Sequence, residues 1–439
     1  MWSNQLLFPF ITVSRKTVTY QEALDFLFPL HRFGIKPGLD RVYTLLDSLG
    51  SPHKRLGIVV HIAGTNGKGT VAAAIASIFQ AAGKKTALYT SPHLVDFTER
   101  IRINGRQIPQ EKVAHYCSLF KDVVLENHST FFEATTALAF TWFADEEVDV
   151  SVIETGMGGR LDATNVVESA YAVISSIGMD HTEWLGNSLS LIAAEKAAII
   201  KTGCRVFTAV SEPEALLPIE KQAQLCDVPL SVVGRDVMHR VSAAEPGMLE
   251  LDVKTPLRDY LGLKAPLTGS FHASNVSLAV MVAEDAGIAV KDIYTGLERL
   301  LQTGYRARLE KIGTQPAVLL DVSHNADGMR QTVAALLSFR AEYRQIYVIL
   351  GLASDKDARA IIRELLRLNC FFVPVTLPSE RSVPAEELGT LCEQEGGEVR
   401  VFSTGHEGLV FLREKAREDD LILVTGSFYL AGDIITSCI

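Results

Sequence analysis

The sequence predicts an α/β protein of two domains, each built on a mostly parallel sheet with helices on its faces. Three observations carry this reading. Short apolar runs alternate with helix-length periodic stretches over two long regions of the chain, which is the pattern of β/α units. One run, Val59-Val60-His61-Ile62-Ala63, leads into the glycine-rich turn Gly64-Thr65-Asn66-Gly67-Lys68-Gly69-Thr70 and then an Ala-rich helix. That is the layout of a strand–loop–helix that holds a phosphate. Finally, 439 residues exceed what one ordinary core accommodates.

In chain order, residues 1–16 read as an extension, followed by helices at 19–30 and 42–49 with a loop between them. A strand at 57–62 precedes the turn, and the helix after it spans 71–82. A strand at 85–89 ends in Thr90-Ser91-Pro92-His93, and 96–105 is polar and turn-rich. Helices follow at 110–126 and 134–143, the second introduced by Thr130-Phe131-Phe132-Glu133. Buried strands at 148–153 and 170–177 run into Glu154-Thr155-Gly156-Met157-Gly158-Gly159 and Gly178-Met179-Asp180-His181. A helix at 190–200 carries Glu195-Lys196, strands lie at 204–210 and 229–234, and 236–262 reads as a β-rich excursion. An apolar helix then runs to 286. Residues 303–308 interrupt the periodicity and are the expected hinge between an N-terminal domain (1–302) and a smaller C-terminal one (309–439). The latter is expected to hold strands at 317–322, 345–352, 371–376, 400–402 and 421–425.

Composition bounds the function. The chain is 47% hydrophobic and 21% charged, with a net charge of −10 and no basic stripe, which argues against nucleic acid as its main partner. Six cysteines show no paired spacing and read as reduced thiols of a cytoplasmic protein. The apolar run at 6–13 lacks the flanks of a signal peptide, and no run is long enough to span a membrane.

The chemistry collects at strand ends. In the loop, Lys68 is placed to reach the β/γ-phosphates and Thr70 to offer its hydroxyl to Mg²⁺. Ser91, Glu154 and His181 each follow a strand of the same sheet, on the rim where open α/β sheets bind ligands. A hydroxyl, a carboxylate and an imidazole beside a triphosphate suit Mg²⁺, which fills its shell with water and phosphate oxygens. The loop spacing is unusual, because Gly69 stands between Lys68 and Thr70. The glycines at 156–159 do not make a dinucleotide fingerprint, since the third glycine would fall on Leu161.

Several motifs together resemble the folylpolyglutamate synthase/dihydrofolate synthase family of the Mur ligase superfamily, in family order over roughly residues 17–435. They are the loop 64–70 with its extra Gly69; Ser91-Pro92-His93-Leu94 with Glu99-Arg100-Ile101; Gly158-Gly159-Arg160-Leu161-Asp162-Ala163-Thr164-Asn165; Asp180-His181 with Glu195-Lys196-Ala197; Asp321-Val322-Ser323-His324-Asn325; and Thr425-Gly426-Ser427. The resemblance implies a P-loop Mur-ligase-like ATPase domain with a Rossmann-like C-terminal domain. It implies an ATP-dependent ligase that activates a folate carboxylate as an acyl phosphate and joins it to L-glutamate.

By the same resemblance, Gly64, Thr65, Asn66, Gly67, Lys68, Gly69, Thr70, Asn275, Arg308 and Asp321 contact ATP. Thr70 holds one Mg²⁺; Ser91, Glu154 and His181 hold a second; K⁺ is a further candidate cation. Lys68, Glu154, His181 and Lys196 serve catalysis, Lys196 as a carbamate. The folate or dihydropteroate is assigned to Ile35, Lys36, Pro37, Gly38, Arg41, Phe131, Phe132, Glu133, Leu161, Asp162 and Ala163, and glutamate to His324 and Ser427. The partners expected are small molecules only: ATP, L-glutamate, and dihydropteroate or tetrahydrofolate, acted on by a monomer. Two departures stand out. The family's glycine before the hinge arginine is Ala307 here, and its Asp-Gly-Ala-His-Asn-Pro is Asp321-Val322-Ser323-His324-Asn325-Ala326. A cell-wall Mur ligase carries a further N-terminal domain for its UDP-sugar carrier, and the roughly 60 residues before the loop leave no room for one. A non-catalytic homologue is expected to have lost Lys68, Glu154, His181 or Lys196, and all four are present.

Overall fold

The most apolar strand of the loop region takes the middle of a sheet. In the computed structural model, which describes residues 18–34 and 36–438, the first sheet contains β1 (Ile58–Ala63), β2 (Thr86–Tyr89), β3 (Ile101–Ile103), β4 (Arg106–Gln107), β5 (Val150–Glu154), β6 (Tyr171–Ile174), β7 (Arg205–Thr208) and β8 (Leu230–Val232). Their order is β4-β3-β2-β5-β1-β6-β7-β8. All pairings are parallel except those of the β3–β4 hairpin and of β3 with β2. Strands β2, β5, β1 and β6 are neighbours, so their carboxyl ends form one continuous rim.

Both faces of this sheet are covered. Helix Lys68–Ala81 is buried continuously from Thr70 to Phe79, as a helix apolar all round must be. It shares a core with helix His272–Asp285 and with an antiparallel sheet of β9 (Met238–Glu245), β10 (Met248–Lys254) and β11 (Asp259–Ala265). Alternate residues Leu249, Leu251 and Val253 of β10 point into that core, the period-two signature of a half-buried strand. The opposite face carries helices Tyr20–Leu27, Gln110–Glu126 and Phe131–Asp145.

The C-terminal unit has its own sheet, of β12 (Glu310–Thr314), β13 (Ala317–Leu320), β14 (Ile346–Leu350), β15 (Cys370–Pro374), β16 (Glu398–Val399) and β17 (Leu421–Thr425). The order is β12-β13-β17-β14-β15-β16, with only β12 antiparallel. Separate apolar clusters cover its two faces.

Several expectations shift. The polar segment 96–105 folds into a short 3-10 turn and half of a hairpin. Residues 400–402 are not a strand: pairing lies at Glu398–Val399, with an isolated bridge at Phe402. Helices Pro213–Leu225 and Val290–Glu298, and strand β12, are additions to the sequence reading. The helix expected at 134 begins at Phe131, because Thr130 and Glu133 form a reciprocal capping box. The expectations for residues 1–16 lie outside the described residues. Among the described residues no helix is long and apolar enough to cross a membrane, and Cys117, Cys204, Cys226, Cys370 and Cys392 are free thiols.

Candidate active site

The loop between β1 and helix Lys68–Ala81 is tied to the neighbouring strand end. Thr65 N donates to Ser176 O at 2.8 Å and Asn66 N to Ser176 Oγ at 3.0 Å, while the Thr65 hydroxyl pairs with Gly178. Gly67 is left-handed (φ 86°), and a Cβ there would stand 2.6 Å from Asn275 Oδ1, so only glycine fits. Residues 64–70 line a cleft of ≈ 720 Å³ together with Ser91, Glu154, His181, Lys196, Asn275, Arg308, Asp321 and His324. The unpaired first N–H groups of the helix lie at this wall, as an anion site requires.

Two lysines converge on one carbonyl. Lys68 Nζ and Lys196 Nζ each donate to Gly64 O at 3.0 Å. Lys196 is 4% exposed; burial first, and Lys68 second, push its pKa down to about 7. Its neighbour Glu195 is turned away, paired with Arg160 at 2.8 Å. Lys196 therefore carries a substantial neutral fraction near neutrality, the form in which an amine is a nucleophile.

Glu154 ends β5, is buried, and accepts from Ser91 N at 3.1 Å. Burial raises its pKa against the pull of Lys68. His181 is left-handed (φ 51°), and burial, with Lys356, Lys68 and Lys196, lowers its pKa. Among the described residues there is no group of three or more His, Cys, Asp or Glu that could hold a metal ion by itself. The donors present are hydroxyls, one carboxylate and one imidazole. The missing side chain of Gly69 leaves its Cβ position 3.9 Å and 4.0 Å from the Glu154 oxygens, a gap any larger residue would fill. Such a sparse, oxygen-rich set fits Mg²⁺ held jointly with phosphate and water.

The C-terminal unit closes the cleft with polar contacts. Asn325 and Asn66 exchange amide hydrogen bonds at 3.2 Å, and Asn325 Nδ2 also donates to Asp180 Oδ2 at 3.0 Å. Lys356 Nζ donates to Asp180 Oδ1 at 3.0 Å. Burial opposes the Asp180 carboxylate, but His181, Lys356 and His324 outweigh it and hold its pKa below the usual range. His324 Nδ1 donates to Val322 O at 2.9 Å, leaving Nε2 as an acceptor. Burial, then Lys356, push its pKa down to about 4, so the ring is neutral. Arg308 lies 4.8 Å over the Phe428 ring, and both line the cleft. Asp321 accepts from Leu309 N, Ser323 N and the hydroxyls of Thr332 and Thr425.

Residues 62–283 match the Mur ligase middle domain and residues 307–428 the Mur ligase glutamate ligase domain. A Bacillus subtilis dihydrofolate synthase/folylpolyglutamate synthase is 33% identical, over 94% of this chain and 98% of its own length. The chain belongs to the folylpolyglutamate synthase/dihydrofolate synthase family of Mur ligases. It is also 33% identical to a Haloferax volcanii protein whose name pairs folylpolyglutamate synthase with dihydropteroate synthase, spanning half of that longer protein. The structure of Escherichia coli FolC in complex with DHPP and ADP superposes with a TM-score of 0.87 at 28% identity, covering 95% of this chain and 97% of that one.

The described residues assigned to the folate by family resemblance do not line the cleft, and several have structural roles. Ile35 is outside the described residues. Arg41 pairs with Glu133 at 3.0 Å and donates to Lys36 O, which holds segment 36–41 against helix Phe131–Asp145. Glu133 also caps that helix. Phe131 is in the core, stacked on Phe28 and covered by Arg100. Phe132 packs against Gly156, whose Cβ position is 2.6 Å from the ring. Asp162 accepts from Met157 N and Thr164 N and closes the glycine turn, and Ala163 is buried behind it. Leu161 is exposed, as is Pro37, and Gly38 is half-buried. Ser427 is buried, accepts from Tyr429 N and does not line the cleft. Sequence reasoning missed the cross-unit partners Asn325 and Lys356 and the cleft-lining Phe428 and His272. Asn325 and Lys356 lie in the second unit, and no local pattern announces a contact made only by docking.

Proposed function

We propose that the protein is an ATP-dependent ligase that adds L-glutamate to tetrahydrofolates and to dihydropteroate, releasing ADP and phosphate. The observation that carries this is the convergence of Lys68 and Lys196 on the Gly64 carbonyl in a cleft whose far wall is His324, Arg308 and Phe428. A carboxylate resists amines until it carries a leaving group, and phosphoryl transfer from ATP supplies one. In-line transfer needs positioning and charge neutralisation more than covalent help. Lys68 neutralises the transferring phosphoryl group. Asn275, Arg308 and Asp321 hold the nucleotide across both units, so that closure shields the acyl phosphate from water.

Thr70 would hold one Mg²⁺, and Ser91, Glu154 and His181 a second. Bound there, the ions supply charge neutralisation on the phosphates. Lys196 is the site of carbamylation: its neutral amine adds to CO₂ and releases a proton, turning a buried cation into an anion. His324 Nε2, a neutral acceptor, is suited to take a hydrogen bond from the incoming amine. The amine attacks the acyl carbon, and phosphate leaves as the tetrahedral intermediate collapses. We place the domain boundary at 303–308 and the protein in the cytoplasm as a monomer. The folate stays assigned to the segments 35–41, 131–133 and 161–163.

The test is ADP release and incorporation of labelled glutamate, in parallel with dihydropteroate and with tetrahydrofolate. Turnover with both supports bifunctionality. If neither pteridine raises ADP release or accepts label, the ligase reading is wrong.

A further inference from the structure

We propose that Tyr305 is a positioning residue that aims the hydroxyl of Thr70 at the nucleotide's cation. The inference rests on the reading that Thr70 binds Mg²⁺. Thr70 is 1% exposed, and its Oγ1 lies 2.8 Å from Tyr305 Oη. A threonine hydroxyl has one proton and two lone pairs. When a lone pair goes to a cation, the proton needs an acceptor on another side. The usual acceptors for a helical threonine are the carbonyls three and four residues back. Here Gly67 O accepts from Val71 N, and Asn66 O already accepts from the hydroxyls of Ser175 and Ser176 at 2.7 and 2.9 Å. Gly67 O keeps a second lone pair, but the partner that the Thr70 hydroxyl has in the structure is Tyr305 Oη.

The phenol is held where it stands. Its ring packs against the core of helix Lys68–Ala81, and burial keeps it neutral. On one side Gly304 sits under the Arg102 guanidinium, with a Cβ position 2.3 Å from Arg102 Cζ. Arg102 is itself bonded to Glu99 O and Gly105 O. On the other side Arg306 makes a bidentate pair with Glu310. The segment joining the two sheets therefore reaches the loop through one oxygen, and the same residues line a small chamber beside Ser91 and Glu154.

Calorimetric titration of ADP into the full-length protein, with Mg²⁺ and with EDTA, tests this for the wild type, Tyr305→Phe, Thr70→Val and the double variant. Tyr305→Phe keeps the ring, so melting is expected to match the wild type. Its Mg²⁺-dependent gain in ADP affinity is expected to fall about tenfold, with affinity in EDTA unchanged. The double variant is expected to be no worse than Thr70→Val alone. An unchanged gain in Tyr305→Phe, an equal loss in EDTA, or additive losses in the double variant overturns the role of Tyr305. A wild type whose ADP affinity ignores Mg²⁺ instead overturns the metal reading, and the inference with it.

Discussion

Replacing Gly432 by alanine puts a methyl group 2.1 Å from the carbonyl oxygen of Leu94 and 3.1 Å from its carbon. Gly432 lies in helix Phe428–Cys438 of the C-terminal unit, while Leu94 belongs to the loop after Ser91. That loop cannot give way cheaply. Leu94 N, Val95 N and Asp96 N all donate to Glu99, and the Leu94 side chain packs into a C-terminal cluster. The helix must therefore retreat by about 1 Å to reach even the closest approach real Cβ atoms make. Phe428, one turn earlier, would carry the Arg308 contact with it. A misplacement of ~1 Å at a reacting centre costs roughly 10²-fold. Alanine is the better helix former by about 1 kcal/mol, so the C-terminal unit itself does not lose stability. The expectation is that Gly432→Ala lowers kcat/KM for ADP release about 100-fold, while the thermal transition stays put. Activity within twofold of wild type would refute the claim that catalysis requires this close approach.

Lys68→Ala is expected to lower the rate of ADP release by at least about 100-fold, with circular dichroism unchanged; near-full activity would remove Lys68 from the mechanism. Lys196, lowered to about 7 in the fold from a usual ~10.4, binds its proton more tightly when unfolded. Stability against urea should therefore rise between about pH 7 and pH 10, and Lys196→Met should flatten that rise. Enzyme stripped of CO₂ at pH 6 should lose activity and regain it with bicarbonate at pH 8, with a carbamate signal from ¹³C-bicarbonate absent in Lys196→Met. Ala307→Gly should stabilise the protein by up to about 1 kcal/mol in denaturant titration, because Ala307 is left-handed (φ 58°).

What the chain disclosed in advance follows the range over which each interaction acts. The loop, Ser91, Glu154, His181 and Lys196 were legible because each sits where a strand ends or a helix turn faces that end. Adjacency of β2, β5, β1 and β6 follows from parallel β/α winding. The expected glycine at 307 illustrates the reverse case. Its left-handed backbone persists with alanine in place, so the hinge geometry is imposed by its surroundings, Arg306–Glu310 and Tyr305–Thr70 among them. Glu133 and Asp162 read as ligand contacts by resemblance, although each carries a local signature of a different role. Thr130-Phe131-Phe132-Glu133 is a capping box, and Asp162 two residues before Thr164 is an Asx turn. Both carboxylates are occupied by backbone N–H groups. A pteridine drawing on segments 131–133 and 161–163 would then have to use what these carboxylates leave free, or the apolar surface of Phe132 and Leu161. The docking contacts are a different matter. Asn325 meets Asn66 across 259 residues of chain, and Lys356 meets Asp180 across 176. Such pairs are selected by the closed arrangement of two folded units: Asn325 reads locally as the cap of helix Ala326–Ser338, accepting from Gly328 N, and that signature does not name Asn66 or Asp180 as partners. The closed cleft, not the loop alone, therefore sets the charge around His324, where Asp180 of the first unit opposes Lys356 and Arg308, whereas Lys196 is governed by burial and by Lys68, Asp180 and Asp162 of its own unit.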